Sequence, residues 1–122
     1  MMTSAELNFK LTETFPELMD NYRKETEWQD GDETGSHVIY ADVFVPFVKE
    51  QMQAENEQVL ERIFAFVEAM LSSDDAYASE VIFLSVLESL IFDEEVDRGR
   101  LVQSAKEKTL QALREILENV AI

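Results

Sequence analysis

Few residues in this chain could carry chemistry on their own. His37 is the one histidine, and an unperturbed imidazole titrates near neutrality, where it can act as a general base. Tyr40 and Asp42 follow it closely. Glu68 and Glu88 each close an apolar run, Phe66-Val67-Glu68 in one case and Val86-Leu87-Glu88 in the other. A carboxylate sealed among apolar side chains must be paired, hydrogen-bonded or neutral. Arg62, Tyr40, His37 and Arg114 are the partners on offer. If His37, Tyr40, Asp42, Glu68 and Glu88 converged on one pocket, a small enzyme would result. If they are structural, each acid is satisfied by a Tyr, His or Arg inside a helical bundle. The structural expectation is preferred, because His37 has no cysteine and no Gly-flanked serine elbow to activate.

Other chemistries lack their residues. With no cysteine, the chain has no disulfide, thiol nucleophile or thiolate metal site. A lone histidine does not build a usual zinc site, and no Glu-x-x-His pair supports a dimetal bundle. Gly31, Gly35 and Gly99 do not form a phosphate-cradling loop. The segment Gln29 to Gly35 (QDGDETG) is acidic and glycine-rich, but it lacks the alternating ligands and closing glutamate of a calcium loop. It reads as a surface loop. Neither a cofactor nor a metal is expected.

Charge says more than any motif. The chain carries 26 acidic and 10 basic residues, for a formal net charge of -16. Such a balance argues against a basic nucleic-acid interface or an anionic membrane surface. It favours a basic protein as partner, steered by long-range attraction. Between Glu50 and Asp97 stand thirteen acids and one basic residue, Arg62. The stretch Arg98 to Arg114 holds five basic residues. An acidic face is therefore expected from Glu55, Glu57, Glu61, Asp74, Asp75, Asp93, Glu94 and Glu95, joined by Asp30, Asp32 and Glu33 from the loop. The competing expectation is that the basic helix neutralises these acids within the fold.

Helices must position these residues. At 122 residues the chain is read as a single domain over 1–122. An apolar content of 46% argues against disorder, and three Gly with two Pro argue against a many-turned β protein. No apolar run reaches a membrane span, and the start lacks a secretory pattern, so a cytoplasmic location is expected. Ser4 is expected to cap a first helix, loosely packed over 1–13. Thr14 and Glu17 have capping-box spacing around Pro16. Ser36 to Phe47 (SHVIYADVFVPF) has strand-like composition but no partner strand, so it is read as a helix running to about Ala54, with a break near Val45 and Pro46. Val59, Leu60, Ile63, Phe64, Val67, Met70 and Leu71 recur at three and four. Tyr77 to Phe92 is nearly apolar all round and is expected to be the buried central helix. A last helix from about Arg100 to Asn119 has Leu101, Val102, Ala105, Leu110, Leu113, Ile116, Leu117 and Val120 on its inner face. The expected fold is all-α, a single-domain antiparallel bundle or HEAT-like array of five to six helices.

Several stretches together resemble a family of small acidic bacterial proteins of unknown function with a helical, HEAT-like fold. They are Phe15-Pro16-Glu17-Leu18, Trp28 before the acidic glycine loop, Gly35 to Phe47, Ile63 to Met70 (IFAFVEAM) and Val86 to Leu90 (VLESL). The resemblance spans about residues 14–118 and rests on fold-like rather than chemical motifs. It implies kinship with toxin-immunity proteins, which mask basic toxin sites with matching acidity. The first functional expectation is thus a non-enzymatic immunity-type binder of a basic toxin or other cationic partner. The second is a structural or regulatory module that self-associates, as a dimer, through Trp28, Phe44, Phe47 and Phe92. The third is the small enzyme centred on His37, Glu68 and Glu88.

Overall fold

The computed structural model describes residues 1–120, and among them it contains helices and turns but no strand. Helix α1 spans Ser4–Thr14, and a 3-10 turn, Pro16–Leu18, leads into α2, Met19–Glu27. Helix α3 covers residues 36–53: α-helical at Ser36–Ile39, π-helical at Tyr40–Phe44 and α-helical again at Val45–Gln53. Helix α4 is Glu57–Ser72. Helix α5 covers residues 76–91, with a π segment at Val81–Leu87. Helices α6 (Arg98–Ser104) and α7 (Glu107–Val120) follow. The all-α fold is as expected, with seven helices among the described residues where five or six were anticipated. Of the residues expected on the inner face of the last helix, Val102 and Leu117 are instead 41% and 36% exposed, since the stretch divides into two helices with separate faces, and the side chain of Val120 lies outside the described residues.

Side-chain caps set most of the helix starts. Asn56, Asp75 and Asp97 accept from the backbone N–H groups of Val59, Ala78 and Arg100, satisfying donors that have no partner within the helix. For α1 the cap is Thr3 rather than Ser4, in a reciprocal box with Glu6. The expected box between Thr14 and Glu17 does not form, because the Thr14 hydroxyl donates back to Lys10 O at 2.7 Å. Helix α1 is also not loosely packed: Leu7, Asn8 and Leu11 are fully buried.

Two π segments replace features expected elsewhere. Pro46 does not break α3. The interruption comes one turn earlier, where Val45 N–H bonds to Tyr40 O, five residues back. Pro46 has no N–H to offer, and the widened turn before it absorbs the mismatch that would otherwise kink the helix. Helix α5 is not buried on every side. Leu84 is 46% exposed, and Glu88 and Ser89 face solvent. A widened turn shifts residues around the axis, so positions that a regular helical wheel places inward rotate out.

The π segments of α3 and α5 pack against each other. These helices run in the same direction, with His37 opposite Ser85 at one end and Lys49 opposite Asp93 at the other. Helix α4 lies against both and against α7, as successive antiparallel hairpins require. One buried cluster runs from Leu7 to Ile116. Phe15, Tyr40, Phe44 and Phe66 form its aromatic centre. The Phe15 ring lies 5.7 Å from Phe44 and 5.4 Å from Phe66, and Tyr40 stacks on Phe66 at 6.4 Å. Arg62 covers the outer face of Phe15 at 5.1 Å while donating to Thr14 O and Glu17.

Replacing Phe15 by Ala should cost about 3–5 kcal/mol, read as a lowered urea midpoint. Glu55 between α3 and α4 holds a left-handed φ of 54°, which favours glycine. Glu55→Gly should therefore raise stability by up to about 1 kcal/mol in the same titration.

Candidate functional site

The five residues considered for chemistry do not converge. Tyr40 is fully buried, and its hydroxyl donates to Leu7 O at 2.8 Å. Burial pushes its pKa above the ordinary tyrosine value, so it remains a neutral donor. Asp42 is exposed on the opposite side of the α3 π segment, where it faces Glu25 of α2. Glu88 is exposed, so it needs none of the buried partners proposed for it. Arg62, one of those partners, is taken by Glu17.

Glu68 has a definite structural task. Its carboxylate accepts from Lys108 N–H at 2.8 Å, from Thr109 N–H at 2.9 Å and from the Thr109 hydroxyl at 2.9 Å. A side chain on α4 thus caps the start of α7, using the anion preference of a helix N-terminus. Partial burial alone would raise its pKa. The three hydrogen bonds outweigh burial and hold it below the ordinary 4.5. This docking also divides the expected last helix at Ala105 and Lys106, between α6 and α7.

His37 lies between a hydroxyl and a carboxylate. Its Nδ1 is 2.6 Å from Ser85 Oγ, and its Nε2 is 3.3 Å from Glu80 Oε2. The ring meets Tyr77 edge-on at 5.9 Å. With Nε2–H donating to Glu80, Nδ1 is left to accept from Ser85. Sequence reasoning singled out His37 but missed both partners. They stand 48 and 43 positions away, and nothing local marks them.

The expected acidic face is partly neutralised within the fold. Arg100 pairs with Glu57 and, at 3.8 Å, with Glu55. Lys106 pairs with Glu61 at 2.9 Å, and Lys49 with Asp93 at 2.8 Å and Glu95 at 3.2 Å. Asp75 caps α5 and also accepts from Met2 N–H, and these bonds lower its pKa. Asp32 accepts from Tyr22 O–H at 2.8 Å. Asp30, Glu33, Asp74 and Glu94 are exposed and have no ion pair among the described residues. Of the aromatics expected on a self-association surface, Trp28 is 73% exposed and Phe92 partly so, Phe47 is half-buried, and Phe44 is fully buried. Among the described residues, no group of three His, Cys, Asp or Glu could hold a metal, and no helix is long and apolar enough to cross a membrane.

A family model described as "Domain of unknown function (DUF7674)" matches residues 9–119. The chain belongs to the DUF7674 family. Nothing matches among curated proteins or solved structures. The matched span runs from α1 into the last turn of α7 and so covers the positions of Glu68, the α7 start that it caps, and both π segments.

Glu68→Gln should cost about 1–2 kcal/mol at neutral pH, since a charged acceptor of backbone N–H groups is replaced by a neutral one. The sign follows from the lowered folded pKa. The contribution is present above the unfolded glutamate value and is lost as pH falls through the folded one. Urea melts should therefore show the difference between wild type and Glu68→Gln shrinking in acid.

Proposed function

We propose that this DUF7674 domain is a non-catalytic binding protein for a basic protein partner, acting as an immunity protein does when it masks a cationic toxin. One observation carries this reading: the acid excess survives folding. Six acids (Glu17, Glu55, Glu57, Glu61, Asp93 and Glu95) form ion pairs with Lys or Arg among the described residues, out of 26 in the chain. The remainder give a strongly negative surface that speeds and steers encounter with a cation. The same field opposes a second copy of the chain, which favours a monomer over self-association through Trp28 and Phe92. The proposed setting is the cytoplasm. The immunity role rests on analogy of charge.

The test is to crosslink the protein in its native host, purify the partner and measure binding. The expected result is a basic protein bound one-to-one, with affinity falling at least about tenfold between roughly 50 and 300 mM salt. A neutral or acidic partner, or binding indifferent to salt, contradicts the reading. Sedimentation of the free protein should give a monomer, and a stable dimer would support the self-associating module instead.

The Ser85–His37–Glu80 arrangement favours a second reading, a hydrolase in which His37 draws the Ser85 proton. A fluorophosphonate probe separates the two. Labelling of Ser85 that disappears in His37→Ala supports the hydrolase, and absence of labelling rejects it.

A further inference from the structure

Trp28 is the chain's one tryptophan, and the fold leaves it 73% exposed at the C-terminal end of α2. Its indole N–H has no hydrogen-bond partner among the described residues. Tryptophan buries more apolar surface than any other side chain, so displaying it in water forgoes a large stabilisation. Tryptophan, with tyrosine and arginine, is enriched at the energetic centres of protein interfaces.

The ring forms one wall of a groove of about 360 Å³ between α2 and α3. Pro46, Phe47 and Val43 supply apolar surface, and Glu25, Asp42 and Glu50 supply carboxylates. The acids arrive at helical spacing: Glu25 and Trp28 share one face of α2, while Asp42, Pro46 and Glu50 follow one another at four along α3. None of the three acids takes part in an ion pair among the described residues. Glu25 and Asp42 approach closely enough to interact directly, and this proximity raises the Glu25 pKa. Lys24 also lines the groove, which leaves three negative charges against one positive.

Size and charge together select the occupant. The volume lies at the lower end of small-ligand clefts, so the groove suits a side chain rather than a helix. An aromatic face beside unpaired carboxylates suits a planar cation, and guanidinium both stacks on indole and bonds carboxylate in pairs, which ammonium does not. A second copy of a chain at -16 is repelled. We propose that this groove receives an arginine side chain of the partner, stacked on Trp28 and held by the Glu25, Asp42 and Glu50 carboxylates. The proposal rests on the basic-partner reading and gives it an anchor point that the mid-chain acids, partly paired within the fold, do not provide.

Because Trp28 is the sole tryptophan, its fluorescence reports on this groove alone. The probe is a hexa-arginine peptide, titrated at low salt with emission and calorimetry read in parallel. Saturable change in Trp28 emission is expected. Glu25→Gln with Asp42→Asn should weaken the peptide about tenfold, while Glu13→Gln with Glu118→Gln, an equal change in net charge, should weaken it less than about twofold. Trp28→Ala, followed by calorimetry, should also weaken it about fivefold or more. Circular dichroism confirms that each variant is folded. Binding heat without any change at Trp28, or equal weakening by both charge pairs, overturns the groove and leaves the basic-partner reading in place. Absence of both binding heat and emission change in the wild type overturns both.

Discussion

Phe15 is fully buried at the corner where α1 gives way to α2, and the surrounding helices are arranged around its ring. Phe44 from α3 and Phe66 from α4 meet it at 5.7 and 5.4 Å, in the tilted and edge-on geometries that aromatic quadrupoles favour. Phe47 touches it from one turn further along α3. Arg62 closes the outer side and also binds Thr14 O and Glu17 across the corner. This packing fixes the direction in which α2 leaves, and therefore how α2 faces α3 across the groove beneath Trp28. Position in that groove is thus inherited from the core rather than built by the loop that follows.

Electrostatics works at two ranges here. At short range, carboxylates close helix starts: Asp75 and Asp97 within their own segments, and Glu68 across forty residues of sequence. Such bonds pair charge with backbone dipoles and need no cation. The four Lys and Arg side chains engaged in ion pairs among the described residues also act at contact distance, holding their acids around α4, α6 and the end of α3, and the field at longer range is what they leave uncompensated. Surface pairs of this kind contribute about 0–1 kcal/mol each, but they determine which parts of the surface stay uncompensated. The consequence is a molecule whose acidity is uneven after folding in a different way from its acidity along the sequence.

The helices were legible where one regular period governs a whole element. Helix α4 is the best case, because Leu60, Ile63, Phe64, Val67 and Met70 are all inside. Legibility failed where the period changes. The π segment of α5 turned Leu84 and Glu88 outward, and no propensity scale marks a widened turn. The site was less readable than the fold. Glu68 stands out in the sequence by closing an apolar run, but its partners are not the Tyr, His or Arg expected there: they are the Lys108 and Thr109 N–H groups and the Thr109 hydroxyl, met only in three dimensions. The division between α6 and α7 had the same cause. Glu25 and Trp28, three apart, and Asp42, Pro46 and Glu50, at successive spacings of four, carry a signal on two neighbouring helices, but it emerges only once those helices are known to face each other.

The two π segments also bear on how much chain the fold needs. A π turn holds one more residue than the α turn it replaces, while the flanking faces keep their alignment. Helices α3 and α5 each carry such a surplus residue, and the surpluses lie side by side, Tyr40–Phe44 against Val81–Leu87. A single-residue deletion within the α5 stretch, where no proline depends on the widened turn as Pro46 does in α3, has an escape that an ordinary helix lacks. It can tighten the turn to α geometry and leave the faces on both sides in register, so the length of α5 is less constrained in its middle than at its ends.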